Sequence, residues 1–472
     1  MNQTTLATWE LDPGDGVLVQ APVPNIAEKP LAFDFDQAAP PISSDQQGTA
    51  AFRYWAAAAA LRRGADFWRG LLPTAPNAQW QMGDTLNVRL DEAVDLNAYY
   101  DRQALNFFHG QGAGGSTVYS AESPDITTHE MGHAILDSLK PGFWNAASDE
   151  IAAFHESFAD ISAILSALQL PSVRQSVLSQ AGGHFYKSSR LSRLAVQLAA
   201  AIRLIAPQAV EPDCLRNAYN SFVYQDPTGL PSDAPASQIS SEAHSFSRVF
   251  TGAFYEILAG CLAARAANSS APTPDELGET ALDIARILIK AVYDAPVVPN
   301  IYSQIAAGMV QNCGSVNANY PSVMKSVFVR RSILTLHSAV TSQQLPRAAT
   351  AAAVSQGISP LSLTYNLGPL ALEGGVYGLD KPLFVEPASQ PRPFAVAAAA
   401  LDGSTIEPPS GTAAAKAFID DLFRRGRVNY NDLGDPQGRL TAPHKLKSHY
   451  LVEIGEGYKI ERLLFDCWPQ VR

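Results

Sequence analysis

Between Thr49 and Leu72 the apolar residues Phe52, Trp55, Ala56, Ala59, Leu61, Ala65, Phe67 and Trp68 recur at a spacing that predicts a helix with a broad apolar face, ended by Pro73. Residues 1–48 have little periodicity and many Pro, Asp and Gln residues, and read as an extended arm with a few short strands. Past the helix, Leu86 to Leu90 alternates like a half-buried strand. Leu105 to Tyr119 sets aromatic strand formers around a Gly-rich turn at 110–115, which predicts a hairpin or an edge strand plus loop. From Asp125 to about Leu336 the helical period dominates, with helices expected at 125–140, 148–168, 190–206, 244–266, 274–293 and 318–336. After Gln343 Pro and Gly return, and 450–454 and 460–465 alternate like strands. The pattern therefore divides the chain into an arm (1–48), an N-terminal α/β lobe (49–140), a helical lobe (141–340), and a Pro-rich linker with a β-containing C-terminal unit (341–472).

Charge and composition narrow the function more than the fold. The 472 residues hold 34 basic and 45 acidic side chains, a net charge of −11, which argues against a nucleic-acid partner. Lys29 is the one basic residue among the first 51, the wrong sign for a signal peptide. The longest apolar runs, 55–61 and 394–401, fall far short of the ~20 residues that cross a bilayer, so no membrane partner and a cytoplasmic location are expected. Cys214, Cys261, Cys313 and Cys467 are too widely spaced for a zinc knuckle or redox motif and read as small buried apolar side chains. Nothing in the pattern bears on oligomeric state.

One constellation points to chemistry. Thr127-Thr128-His129-Glu130-Met131-Gly132-His133 holds an HExxH pattern inside a predicted helix, with Asp125 expected as its N-cap and Pro141-Gly142 as its stop. Residues four apart share a helix face, so His129 and His133 can direct ring nitrogens at one metal ion. Glu130 lies about 100° around the helix, in reach of a metal-activated water but poorly placed to ligate, which is where a general base belongs.

A hydrolytic metal site needs a third protein ligand. In the next predicted helix Ile151, Phe154, Phe158, Ile161 and Leu165 define a core face, while Glu156 and Asp160 stand opposite among Ala152, Ala153, Ala159 and Ala163. That small-residue face permits close helix approach, and carboxylates buried there need partners. Glu156 is therefore expected as third ligand, with Asp160 fixing a ligand imidazole, that of His129. Glu150, in a first turn expected to face solvent, and His155, between the two faces, compete with Glu156.

These residues resemble the thermolysin-like gluzincins, in which an HExxH helix is followed by a helix carrying E-x-x-x-D; here the step from His133 to Glu156 is 23 residues. The resemblance implies an α+β, two-lobed metallopeptidase, with a β-rich N-terminal lobe, a mainly helical C-terminal lobe and one Zn²⁺ in the cleft between them. It implies a peptide or protein substrate. Asn97 to Asp101 and Leu105 to Gly110 look like that family's tyrosine-rich helix and substrate-lining edge strand, so Asn106 and its backbone are expected to hold an extended peptide. Glu242 to Ser247 is similar to the segment whose histidine stabilises the tetrahedral intermediate, which makes His244 the expected oxyanion donor.

Several features depart from the family. Trp144 stands where a tyrosine is expected beside the oxyanion and offers an indole N–H there. The carboxylate expected before the catalytic histidine falls at Ile239, so that either Glu242 orients His244 or nothing does. The stretch Ala163 to Val173 has no acidic residue, so no paired calcium site is expected, and neither a long propeptide nor a counterpart to 341–472 is recognised. Two competing expectations follow: a metallopeptidase-fold binding or structural protein with weak or no catalysis, and a dedicated hydrolase of a non-peptide amide.

Overall fold

The chain enters through an antiparallel ribbon, β1 (Thr5–Trp9) with β2 (Leu18–Pro22), and then supplies β3 (Ala32–Phe35) to the principal sheet. The structure is a computed structural model that describes residues 5–42, 46–73, 78–182, 184–267, 271–344, 368–389, 398–400, 402, 404–429 and 447–467. Helix α1 (Ala50–Arg69) begins where the Thr49 hydroxyl accepts the Phe52 N–H, and 14 of its 20 residues are buried. Next come β4 (Thr85–Arg89), β5 (Ala98–Tyr100), β6 (Ala104–Phe107) and a hairpin of β7 (His109–Gln111) with β8 (Thr117–Tyr119).

Helices then dominate: α2 (Pro124–Leu139), α3 (Asp149–Ala167) and α4 (Pro171–Ala181) are followed by β9 (Arg193–Leu194), α5 (Val196–Arg203) and β10 (Arg216–Asn217). The run closes with α6 (Ala243–Arg265), α7 (Pro274–Asp294), α8 (Ile301–Cys313), α9 (Tyr320–Arg330) and α10 (Leu336–Gln344). The last part holds β11 (Leu370–Leu372), β12 (Leu383–Val385), β13 (Ala398–Ala399), β14 (Thr405–Ile406), α11 (Gly411–Arg424), β15 (Val428–Asn429), β16 (His449–Ile454), β17 (Gly457–Arg462) and β18 (Phe465–Asp466). The result is a mixed α/β fold, and no single helix among the described residues is long and apolar enough to cross a membrane.

Helix α3 is the axis of the packing: all 19 of its residues are buried, including its four carboxylates and both flanks of the apolar stripe. Encased in this way, every polar group on it must find a partner inside the protein. Gly132 permits the closest approach of α2, since a Cβ there would lie 2.7 Å from Ala159 Cα and 2.9 Å from Ser162 Cβ.

The principal sheet runs β18-β5-β6-β4-β3, with β6 parallel to β4 and antiparallel to β5. Two sequence expectations are corrected here. Within the 97–101 segment residues 98–100 form strand β5, not a helix: the Asn97 side chain accepts the Ala98 N–H at its start, and an Asx turn follows it, in which Asp101 accepts the N–H groups of Gln103 and Ala104. The strand at 104–107 is internal, not an edge, because β5 folds back over it. The exposed edge would be β5, and there the last described strand docks: Phe465 faces Tyr100, Asp466 faces Tyr99, and the Cys467 N–H donates to the Ala98 carbonyl at 2.9 Å.

The helix expected at 190–206 is shortened to α5, because Ala195 takes a left-handed φ of 52° and Arg193–Leu194 pair instead with Arg216–Asn217. Helices α4, α8, α10 and α11 have no counterpart among the expected elements. The C-terminal strands β11, β12, β17, β16 and β15 form a second sheet, from which Leu463 and Leu464 lead to β18 while packing on Tyr99 and Phe108.

Candidate metal centre

Helix α2 starts two residues earlier than a cap at Asp125 would set it. The Ser123 hydroxyl is the cap, accepting the Ile126 N–H and donating to Asp12 at 2.7 Å, with Pro124 in the first turn. Asp125 is instead buried, where burial raises its pKa and it accepts the Ala195 N–H. His129, Glu130 and His133 therefore fall in the middle of a rigid, buried helix.

His129 turns Nδ1 to Asp160 at 3.0 Å. Asp160 is clamped from the other side by Arg216, whose Nε and Nη2 donate at 3.0 and 2.8 Å. Burial alone would raise the Asp160 pKa, but the Arg216 charge and the His129 bond hold it well below the usual carboxylate range. A charged Asp160 fixes the proton of His129 on Nδ1 and points Nε2 forward. Burial opposes charge on the His129 ring too, yet the Asp160 and Glu156 carboxylates push its pKa up to about 9.

His133 has a different support. Its Nδ1 lies 3.1 Å from His155 Nδ1, while burial and the neighbouring imidazoles hold its pKa well below the ordinary histidine value, so the ring is neutral. A neutral His133 that keeps Nε2 free carries its proton on Nδ1 and donates to His155.

Glu156 completes the group. Its oxygens lie 3.4 Å from His129 Nε2 and 3.7 Å from His133 Nε2. His129 Nε2, His133 Nε2 and Glu156 Oε2 are all buried without a hydrogen-bond partner among the described residues, and candidate ligand atoms of the three residues lie within 4.8 Å of one another. Orphaned buried donors and acceptors are costly. Ligands of one tetrahedral zinc stand about 3.3 Å apart, so the observed separations are those of groups that share an ion. The donor set thus fits a metal ion.

Around this set lie the other expected residues. Glu130 is fully buried, with Oε1 accepting from the Cys467 thiol at 2.7 Å and Oε2 without a partner among the described residues; burial pushes its pKa up to about 7. His244, in the first turn of α6, has Nδ1 2.8 Å from Glu242, the residue that caps the helix, while Ile239 offers nothing to orient it. Burial opposes charge on His244, but Glu156 and Glu242 raise its pKa to about 9, and Nε2 donates to the Asp466 carbonyl.

Two expectations fail. Asn106 is fully buried inside the sheet, donating to the Tyr99 and Ala104 carbonyls and accepting from Arg89, so it has nothing left for a peptide. Trp144 turns its indole N–H to the Arg462 carbonyl at 3.3 Å and packs on Phe465, so it holds the last strand rather than an oxyanion.

Glu150, expected in solvent, is buried: Oε1 accepts the Tyr302 N–H at 2.6 Å and Oε2 the Tyr224 hydroxyl at 2.8 Å. Burial pushes its pKa up to about 8, and that of Asp149 likewise. A carboxyl whose folded pKa is raised stabilises the fold fully below its unfolded value and loses that contribution as pH rises through the folded one. Stability should therefore fall between about pH 5 and pH 8. Glu150→Gln should flatten this fall by roughly 1–2 kcal/mol, read from denaturation midpoints across that range; an unchanged slope would contradict it.

Sequence reasoning missed Arg216, the role of His155 beside His133, and Cys467. His155, next to Glu156, is legible in the sequence only as a competing ligand. Arg216 and Cys467 sit in or beside two-residue strands and gave no local signal.

Asp160→Asn keeps the shape but loses the charge that Arg216 and His129 share. It should weaken metal affinity about 10–100-fold in a competitive chelator titration, and equal affinity would show that Asp160 does not act through His129.

Residues 57–137 match the family model for the thermolysin metallopeptidase catalytic domain, a span running from α1 through β4, β5 and β6 to α2. No curated protein matches the chain significantly. The match ends before Glu156. That span carries His129, Glu130 and His133 and three strands of the principal sheet, and over it the chain is similar to the thermolysin metallopeptidase catalytic domain.

Proposed function

We propose that the protein is a zinc-dependent metallopeptidase with His129, His133 and Glu156 as the metal ligands, Glu130 as general base and His244 as oxyanion donor. The observation that supports this most is the meeting of three buried ligand atoms from α2 and α3, without hydrogen-bond partners among the described residues, beside a carboxylate of raised pKa. Zinc bound there supplies Lewis acidity, polarising a scissile carbonyl and acidifying water.

The chain's own residues do the rest. Glu130 takes the proton of the attacking water and returns it to the leaving amine, a task suited to a group that titrates near neutrality. His244, held charged by Glu242 and Glu156, directs Nε2–H at the developing oxyanion. The β5 edge, with the Ala98 carbonyl as acceptor, receives an extended peptide by strand addition, where β18 now lies. In this reading the sheet-bearing part through α2 and the helical part from α3 form the two lobes.

One observation favours a second reading, a metal-holding protein with little turnover. Residues 463–467 cover the centre, and the cavity beside Glu156 and His244 measures about 40 Å³, room for about one water. The two readings separate in one experiment on the full-length protein: zinc content together with hydrolysis of a broad peptide library. One zinc per chain, lost in Glu156→Gln, with peptide cleavage supports the peptidase. One zinc without cleavage by the wild type or by a chain whose last strand is loosened supports the second reading.

A further inference from the structure

The described part of the chain ends inside the centre. Four contacts hold it there. Phe465 stacks on His155 and His133, with ring centroids 4.1 and 4.9 Å away. The Asp466 carbonyl accepts from His244, and its side chain pairs with Arg427 at 2.9 Å. Cys467 N–H pairs with the β5 edge, and its thiol donates to Glu130.

These are the contacts a peptide substrate would make. A main-chain carbonyl stands before the oxyanion donor, a strand lies on the edge, and a proton donor sits on the general base where water would sit. Candidate ligand atoms of Cys467, His129 and Glu130 lie within 4.8 Å of one another, so the sulfur shares His129 with the His129–His133–Glu156 group. Cys467 is fully buried at the strand end, and His129 Nε2, in the residue it approaches, has no hydrogen-bond partner among the described residues.

We infer that Cys467 is a fourth protein ligand to the metal, closing the position at which a hydrolytic site admits water, so that the folded chain is held latent by its own last strand. The inference rests on the metal assignment made above for His129, His133 and Glu156. Thiolate suits zinc as well as imidazole and carboxylate do, and four protein ligands make a closed site, whereas three leave it open. On ligation the S–H bond is exchanged for a sulfur–metal bond, and the proton passes to the Glu130 oxygen that already accepts it. That protonation also removes the general base. Activity then requires withdrawal of 463–467, and the strand that leaves vacates the β5 edge for a substrate.

Cobalt(II) in place of zinc in the full-length chain tests this, because a sulfur ligand adds a thiolate-to-metal charge-transfer band in the near ultraviolet. The wild type should show the band, and Cys467→Ser and Cys467→Ala should lose it while each still binds one cobalt per chain. Zinc-loaded Cys467→Ser should cleave peptides at least about tenfold faster than the wild type, the direction expected when a fourth ligand gives way to water. A wild-type cobalt spectrum without the band, unchanged by Cys467→Ser while Glu156→Gln abolishes binding, overturns the inference and leaves the peptidase reading standing. A band with no gain in hydrolysis overturns the closing role. Cobalt binding indifferent to Glu156→Gln overturns the metal assignment, and the inference with it.

Discussion

Glu130→Gln should leave one metal ion bound per chain and lower peptide hydrolysis by roughly 10²–10⁴-fold, the range for loss of a positioned acid–base group. The amide has the shape of the carboxylate, and its oxygen can still accept from the Cys467 thiol, so the fold around α2 has no cause to change. It cannot take a proton. Oε2, the oxygen without a partner among the described residues, is the one whose chemistry is lost. Because the last strand covers the centre, the comparison is made in the wild-type chain and again in Cys467→Ser, reading kcat beside metal content. Equal kcat with Glu and Gln would remove Glu130 from the mechanism.

The second large effect comes from a residue that touches neither metal nor substrate. Gly→Ala inside a helix ordinarily stabilises by about 1 kcal/mol through backbone entropy and propensity. At Gly132 the added methyl meets the backbone of Ala159 at 2.7 Å, and α3 is buried on every side and has nowhere to retreat. Gly132→Ala should therefore destabilise by about 1–3 kcal/mol, the usual cost of overpacking, and Gly132→Val by more. Because α2 and α3 carry the two halves of the ligand set, spreading them should also weaken metal binding. Chemical denaturation and a chelator competition read the two effects; a Gly132→Ala chain more stable than the wild type would contradict the close-approach argument.

How far the sequence could be read follows from the range of each interaction. The HExxH spacing is local, and so is the division of α3 into an apolar stripe and a small-residue face; both were legible, and α3 does turn Glu156 and Asp160 toward α2. The same reasoning put Glu150 in solvent because it counted only the first turn and the helix dipole. A helix enclosed on all sides leaves no solvent face, and enclosure is a property of the assembled fold. The edge of the principal sheet was misread for a related reason: the aromatic runs at 98–100 and 104–108 look alike, and only their pairing decides which is internal. The largest omission was the last strand. A two-residue pairing between Phe465–Asp466 and Tyr99–Tyr100 has no periodicity to detect, and the Cys467–Glu130 contact spans 337 residues of chain. Its anchors were present in the sequence as separate oddities, a tryptophan at 144 and an unassigned tail, whose meaning is that Trp144 and Arg462 hold that tail in place.

The central claim is that one metal ion joins α2 to α3 through His129, His133 and Glu156. Anomalous diffraction from crystals of the zinc-loaded, full-length protein, collected on both sides of the zinc absorption edge, tests it most directly. The account predicts a single strong peak within coordinating distance, about 2.0–2.2 Å, of His129 Nε2, His133 Nε2 and a Glu156 carboxylate oxygen. A peak elsewhere, or one that leaves Glu156 outside that distance, would contradict it.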